Sequence, residues 1–356
     1  MNYGAKWKKI METAYQDGAS DIHISAGHPP IIRVSGVLED VEGEEKLSSE
    51  EAKGLSLFLM TSEQQEMFLR KKEIDFAYEG DGDQRFRVNA FFQKRQVCAA
   101  LRVISSIIRT IDELGLPEVL HKFSQARQGF VLITGATSQG KSTTMAAIID
   151  EINHTRRDHI ITIEQPIEYL FEDDQSLIQQ REVGSDTLSF PKALRATLRE
   201  DPNVIMIGEM RDLETISTAI TAAETGHLVF ATLHTNSASQ TIHRVIDVFP
   251  AHQQNQIRAQ LASSLLGVVA QRLVPGLRRP FVPACEVMMA TSSIANLMRE
   301  NKIHEIPSVI ETSAEAGMMP LNKTLSDLVR NKEISRETAL QYALDTKDLE
   351  MRLRTI

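Results

Sequence analysis

The sequence predicts an α/β fold, with a parallel sheet in the second half of the chain, a smaller α+β domain before it and a helical region after it. From Gly129 onward, short apolar strands alternate with helices, which is typical of a parallel sheet with helices on both faces. Residues 1–105 mix strand and helix patterns, and the chain after about residue 290 is polar and rich in helix patterns. A length of 356 residues is enough for two or three domains.

Composition is typical of a globular protein. Hydrophobic residues make up 42% and charged residues 24%, which argues against disorder, collagen and coiled-coil rods. The formal charge of −9 argues against a nucleic-acid partner, because such binders usually carry a basic excess. Cys98 and Cys285 lie far apart, so neither a disulfide framework nor a paired metal-binding motif is expected.

No segment is predicted to enter a membrane. Residues 1–15 contain early lysines but no apolar core, which argues against a signal peptide. The longest apolar runs, Leu261–Ala270 and Asn203–Gly208, are too short to cross a bilayer. The sequence therefore predicts a cytoplasmic protein that meets a membrane only through partners.

The first predicted domain, residues 1–105, shows both kinds of periodicity. A helix is predicted over Trp7–Gln16, and Ser49–Lys71 is predicted to hold two helices, with Ser62 as the N-cap of the second. Strands are predicted at Ile22–Ser25, Ile31–Val34, Arg85–Phe91 and Val97–Ile104. Residues 106–126 have mixed character and are predicted to be a linker.

The parallel α/β domain is predicted over residues 127–290. Its expected strands are Gly129–Thr134, His159–Glu164, Asn203–Gly208 and His227–Leu233. Its expected helices are Lys141–Asn153, Phe190–Glu200 and Thr215–Glu224. In the helical region, residues 291–356, helices are predicted at Leu321–Leu328 and Ser335–Tyr342.

The segment Gly135–Ser142 matches the pattern G-x-x-x-x-G-K-[ST] and lies between a predicted strand and a predicted helix. Backbone N–H groups at a helix N-terminus favour an anion, so this phosphate loop would hold the phosphates of a nucleotide. Lys141 would place a charge near the β and γ phosphates, and Ser142 would offer its hydroxyl to Mg²⁺. An ordinary glycine turn is the alternative, and the strand–loop–helix context disfavours it.

Two apolar strands end in a carboxylate. Glu209 follows one of them, and Glu164 ends another, with Glu168 four residues further on. An acidic residue at such a position can hold Mg²⁺ or activate the attacking water. A solvated loop carboxylate is the alternative, and it weighs more for Glu164 than for Glu209. We predict both as catalytic residues, with Glu164 and Ser142 as metal ligands.

His227 and His234 flank one apolar strand. Their odd spacing places them on opposite faces of the strand, and no cysteine is nearby, so a shared zinc site is not expected. A histidine at a strand end could sense a γ-phosphate, and the alternative for either is a core or capping histidine.

Together these segments closely resemble the PilT-type retraction ATPases of bacterial type IV pili, in the secretion ATPase superfamily. The resemblance runs from about Gly18 to Glu337. It rests on ordered strings at Gly18–His23, Gly27–Val34, Arg85–Phe91, Arg199–Pro202, Gly208–Thr215, Thr221–Phe230 and Thr232–Thr235. It implies a motor that hydrolyses ATP, with Mg²⁺, to power pilus retraction, pilus disassembly and twitching motility.

The resemblance also implies architecture and partners. The fold would be a RecA-like P-loop domain with a PAS-like amino-terminal domain, assembled as a homohexamer in which the first domain packs on the next subunit's RecA-like domain. The other expected partners are an inner-membrane pilus platform protein and a paralogous retraction ATPase. The protein would work at the cytoplasmic face of the inner membrane.

Site residues follow from the same resemblance. The Walker A loop would comprise Gly135, Ala136, Thr137, Ser138, Gln139, Gly140, Lys141, Ser142 and Thr143. Thr162–Glu168 matches the Asp box and Glu209 matches the catalytic glutamate of Walker B. His227 and His234 match the His box, the second near the γ-phosphate. Arg87 and Arg102 are the candidates for arginines of the first domain that reach the nucleotide.

Two departures from the family pattern concern the chemistry. Ser138 replaces a glycine, and a positive φ there would cost a serine roughly 1 kcal/mol. Gln165 replaces the aspartate of the Asp box and removes a charge near the predicted metal. Lys141 and Glu209 are retained, so we expect turnover, slower than is usual for the family.

Alternative functions remain at this point. The paired C-x-x-C motif of extension and secretion ATPases is absent, which favours the retraction branch over a pilus extension or type II secretion-like ATPase. Ser293–Glu300 resembles a late helix of the retraction branch, with Ala295 in place of an arginine. A regulatory paralogue that binds ATP with little hydrolysis is the other alternative, favoured by Ser138 and Gln165. A RecA-like DNA motor is disfavoured by the net charge of −9.

Overall fold

A computed structural model describes residues 2–34, 36–80, 84–104 and 107–354. These residues form two compact units. The first contains the described residues up to Ile107 together with Pro166–Leu170, and the second contains Ile108–Gln165 and the described chain from Phe171 onward. The predicted boundary between residues 105 and 106 lies outside the described residues.

The first unit is an antiparallel sheet covered by helices. Its helices are α1 (Tyr3–Gln16), α2 (Ser49–Phe58) and α3 (Ser62–Lys71). Its strands are β1 (Asp21–Ile24), β2 (Ile31–Val34), β3 (Val37–Asp40), β4 (Glu73–Glu79), β5 (Arg85–Gln93) and β6 (Gln96–Ile104). They lie in the order β3-β2-β1-β6-β5-β4, and the buried Trp7 fastens α1 to α2 by donating its Nε1–H to Leu55 O at 2.7 Å.

Three details of this unit differ from the sequence-based expectation. Thr61, not Ser62, is the N-cap of α3, because its hydroxyl accepts from Gln64 N while the Gln64 side chain accepts from Thr61 N. The strand β3 was not predicted because all its residues are exposed at a sheet edge. The strand β4 was not predicted because Glu and Asp interrupt its apolar pattern.

The second unit is built on a seven-stranded sheet. Its strands are β7 (Gly129–Thr134), β8 (His159–Glu164), β9 (Leu177–Glu182), β10 (Val204–Ile207), β11 (Leu228–Leu233), β12 (Leu265–Pro275) and β13 (Phe281–Met289). The order is β13-β12-β7-β11-β10-β8-β9, and all neighbours are parallel except the β12–β13 hairpin. This confirms the predicted parallel α/β fold.

Helices cover both faces of this sheet. They are α4 (Ile111–Leu114), α5 (His121–Gln125), α6 (Lys141–Thr155), α7 (Phe190–Thr197), α8 (Leu213–Glu224), α9 (Ala238–Asp247) and α10 (Ala251–Ser264), followed by α11 (Ser292–Arg299), α12 (Ile306–Thr312), α13 (Leu321–Arg330), α14 (Arg336–Tyr342) and α15 (Thr346–Arg354). In β7, Phe130 and Leu132 enter one core, and Val131 and Ile133 enter the core on the opposite face. The strand therefore reads as a continuous apolar run.

The segment predicted to be a linker is packed into the second unit from Ile108 onward. Ile111, Leu120 and Phe123 are buried in the same core as Val131 of β7. Their apolar side chains lie on helices that are too short to show a helical period in the sequence.

The sequence also did not predict β9, β12 or β13. The apolar run Leu261–Ala270 is divided in the structure between the end of α10 and the start of β12, so neither period is complete in it. Both cysteines are free and buried, Cys98 on β6 and Cys285 on β13. Of the helices that the structure describes, none combines the length and apolar character required to span a bilayer.

Candidate functional site

The carboxyl edge of the parallel sheet brings the predicted site segments together. The adjacent strands β7, β11, β10 and β8 all end at this edge. The phosphate loop follows β7, His234 follows β11 and Glu209 lies just after β10, while Glu164 is the last residue of β8. Backbone hydrogen bonds join these ends, since Gly135 N donates to Leu233 O at 3.3 Å and Gly208 N donates to Ile163 O at 2.8 Å. Ligands of open α/β sheets bind at this edge.

The phosphate loop wraps around the amino-terminal end of α6. Gly140 is the N-cap of α6 in the left-handed region, with φ 75°. Lys141, only 8% exposed, donates from Nζ to Gly135 O at 2.9 Å and to Ala136 O at 2.8 Å. A Cβ at Gly135 would lie 2.4 Å from Gln271 O, so this close passage requires glycine. The loop has the form expected of an anion cradle.

Ser138 lies at the exposed tip of this loop with φ 62°. This is the positive φ for which the sequence predicted a cost. A residue other than glycine in this region loses roughly 1 kcal/mol, because its Cβ crowds the backbone.

Glu209 lies just beyond β10 and is held by two cationic or potentially cationic side chains. Arg211 Nε and His234 Nε2 lie 2.8 and 2.9 Å from the same oxygen, Glu209 Oε1. Burial raises the pKa of Glu209, but Arg211 and His234 outweigh burial and hold that pKa below its ordinary value. We call Glu209, Arg211 and His234 the Glu209 corner; its carboxylate is ionised at neutral pH and is therefore able to accept a proton.

Glu164 is 5% exposed at the end of β8. Its Oε1 accepts from Thr162 Oγ1 at 2.6 Å and from Gln180 Nε2 at 3.2 Å. A Cβ at Gly208 would lie 3.3 Å from Ile163 O, so the β10 end that carries Glu209 passes close to the β8 end that carries Glu164. The structure therefore brings together the two strand ends that carry the predicted carboxylates.

The structure does not bring His227 to this edge. His227 precedes β11, at the amino end of the strand, where its Nδ1 lies 2.9 Å from Ala222 O. Seven residues of extended chain, roughly 23 Å, separate it from His234. This placement corresponds to the capping alternative and lends no support to a catalytic role of His227 at the Glu209 corner.

Arg87 and Arg102 lie in the first unit, directly opposite each other on β5 and β6. Arg102 donates from Nε to Asp21 at 3.1 Å, and Arg87 Nη1 lies 3.9 Å from Glu168, in the segment Pro166–Leu170 of the same unit. Both arginines are substantially exposed. They form a basic pair on one face of this sheet.

Sequence reasoning missed several residues of the site, among them Arg211 and Gln271. Arg211 follows Glu209 by two positions in the segment Gly208–Thr215. The one signal in the sequence for a role in the site is its positive charge close to the expected base. Gln271 lies on the unpredicted strand β12 and has no signal in the sequence. Within the described ranges, no three histidine, cysteine or carboxylate side chains are grouped to hold a metal ion by themselves.

Comparison with known proteins shows what the chain is similar to. Residues 5–351 match the family model described as type II/IV secretion system protein. The type IV pilus retraction ATPase PilT of Pseudomonas aeruginosa is 46% identical over 94% of this chain and 97% of its own length. A twitching motility protein of Neisseria gonorrhoeae is 43% identical over 90% of this chain and 86% of its own. The crystal structure of the pilus retraction motor PilT with bound ADP superposes with a TM-score of 0.90, at 43% identity, over 96% of this chain and 98% of that one.

Proposed function

Because the chain belongs to the type II/IV secretion system protein family, we propose that it is the ATPase motor that powers type IV pilus retraction. The observation that carries this is the joint position of the phosphate loop and the Glu209 corner at one sheet edge, in a chain that covers nearly all of a retraction ATPase. The chain is an ATPase with a RecA-like domain, and it binds nucleotide.

The residues present suit hydrolysis of ATP. The backbone of the phosphate loop would bind the phosphates, and Lys141 would neutralise their charge. Glu209, whose pKa Arg211 and His234 hold below its ordinary value, would orient the attacking water and accept its proton. A γ-phosphate that contacts His234 would also affect Glu209, because His234 and Arg211 both contact Glu209 Oε1.

Mg²⁺ fits the donor set. The metal usually binds one or two protein oxygens and takes the rest from phosphates and water. Ser142 at the start of α6 and the buried Glu164 would supply those oxygens, and the cation would neutralise charge on the phosphates. With Gln165 in place of an aspartate, the donor set contains one carboxylate fewer.

We further propose a homohexamer that acts on an inner-membrane platform protein, at the cytoplasmic face of that membrane. The exposed Arg87 and Arg102 would complete the nucleotide site of a neighbouring subunit. A paralogous retraction ATPase would be an additional partner.

The first test is phosphate release from Mg·ATP by the purified, sized oligomer. We expect turnover in the wild type, with loss of at least about 100-fold in Glu209→Gln, which removes the base but keeps the binding site. Lys141→Ala should lose both turnover and nucleotide affinity, measured by titration with a fluorescent ADP analogue. A wild type that binds ADP without turnover would instead support the regulatory alternative, with Gln165→Asp as its rescue.

Direction of action needs a cellular test. Expression in a bacterium that lacks its retraction ATPase should restore twitching and reduce the excess of surface pili. Restored piliation in a strain without its extension ATPase would favour the extension alternative.

A further inference from the structure

The strand β12 extends beyond its neighbour β7. The two strands pair as far as Ala270 and Thr134, after which β7 turns into the phosphate loop while β12 continues to Pro275. The extra residues 271–275 therefore form a wall beside the loop. Their outer side is paired with β13, and none of the strands that the structure describes pairs with the side that faces the loop.

Three hydrogen bonds connect this wall to the loop and to α6. Gln271 Nε2 donates to Gln139 O at 2.8 Å, and Leu273 N donates to Gln139 Oε1 at 2.7 Å. Thr144 Oγ1 donates to Gln271 Oε1 at 2.7 Å. We call Gln139, Gln271 and Thr144 the glutamine bracket. Gln271 is 2% exposed, and both polar atoms of its side chain are used by the bracket.

The loop lies close to the same wall at two points, one against the backbone and one against the side chain of Gln271. A Cβ at Gly135 would lie 2.4 Å from Gln271 O, and one at Gly140 would lie 2.9 Å from Gln271 Nε2. Gln271 thus contacts both ends of the loop, and Gln139 fixes the part between them. Ser138, the residue with a positive φ of 62°, is next to Gln139.

We propose that Gln139 and Gln271 are positioning residues that hold the phosphate loop in its nucleotide-binding conformation against the strain at Ser138. Without the bracket, Ser138 would relax to a negative φ and redirect the N–H groups of the loop tip. The proposal rests on the proposed function, because it assigns the bracket to the nucleotide site of the ATPase.

The test compares Gln139→Met, Ser138→Gly and the double variant in the full-length chain. Methionine keeps the length of the glutamine side chain and removes its acceptor, and residue 139 is only half-buried, so folding is expected. Affinity for a fluorescent ADP analogue should fall about 5- to 10-fold in Gln139→Met, the size expected for one lost hydrogen bond. In the Ser138→Gly background the same change should cost about 2-fold or less, because glycine removes the strain.

Gln256→Met, on the exposed face of α10, is the matched control and should leave ADP affinity and KM unchanged. A structural role alone would lower the thermal midpoint without nucleotide and reduce kcat, whereas the bracket predicts a raised KM for ATP with kcat nearly constant. Equal affinity of Gln139→Met and wild type would overturn the proposal, and so would an equal loss in both backgrounds. A wild type that binds no ADP would overturn the proposed function as well.

Discussion

The phosphate loop and the Glu209 corner lie at the same sheet edge but are held by different means. Buried groups hold the loop, among them Lys141 at 8% and Gln271 at 2% exposure, and each bonds to backbone or to another buried group. The Glu209 corner depends on exposed side chains, with Arg211 at 69% and His234 at 44%. The comparison indicates that the loop is preformed for binding, whereas the charges around the base can rearrange when a phosphate arrives.

The largest effect should come from adding a side chain where the phosphate loop passes closest to β12. Gly135→Ala would place a Cβ 2.4 Å from the backbone oxygen of Gln271, at a φ of 149°, and backbone atoms cannot move aside. We expect the free energy of unfolding to fall by about 3 kcal/mol and ADP binding to be lost. Urea denaturation and nucleotide titration measure the two quantities.

Gly184→Ala is the control for strain alone, since Gly184 has a φ of 106° and a Cβ at this position would meet no other atom within 4 Å. It should cost about 1 kcal/mol and leave ADP binding intact. If both variants lost the same stability and both bound ADP, the phosphate loop would not be tightly confined by the backbone of Gln271.

An intermediate effect should come from the Glu209 corner. Arg211→Ala removes the guanidinium that lowers the pKa of Glu209, so that pKa rises. At mildly acidic pH fewer molecules would then hold the deprotonated base, and the acid limb of the kcat/KM profile should move to higher pH. We expect a loss of roughly 3- to 10-fold on that limb, with ADP affinity unchanged.

Arg330→Ala, which removes an exposed arginine far along the chain on α13, should leave the profile in place. An unshifted acid limb in Arg211→Ala would show that Arg211 does not control the ionisation of Glu209.

The smallest effect should come from relieving strain at the loop tip. Ser138→Gly should raise the free energy of unfolding by up to about 1 kcal/mol, because glycine tolerates the φ of 62°. Ser313→Gly is the contrasting change, at a φ of −118°, and should lower stability or leave it unchanged through added chain entropy. Equal effects of the two substitutions on thermal melting would argue against strain at Ser138.

Local patterns predicted much of this site. The apolar runs of β7 and β8 and the phosphate loop between them lie within residues 129–164, so the sequence could place Lys141 at the start of a helix and Glu164 at the end of a strand. Glu209 followed from the same rule. The roles of Gln271 and Arg211 could not be predicted. Gln271 contacts a loop residue that lies more than 130 positions earlier in the sequence, and the role of Arg211 depends on the direction of its side chain toward Glu209.

The burial of both cysteines has a practical consequence for labelling. Burial raises the pKa of Cys285 to about 12, so its thiol stays protonated and inert toward alkylating reagents, and Cys98 is packed inside the other unit. The sequence contains no other cysteine. A single cysteine introduced at exposed Gln256 would therefore take a maleimide dye selectively, so that individual molecules could be followed by fluorescence without first removing a native thiol.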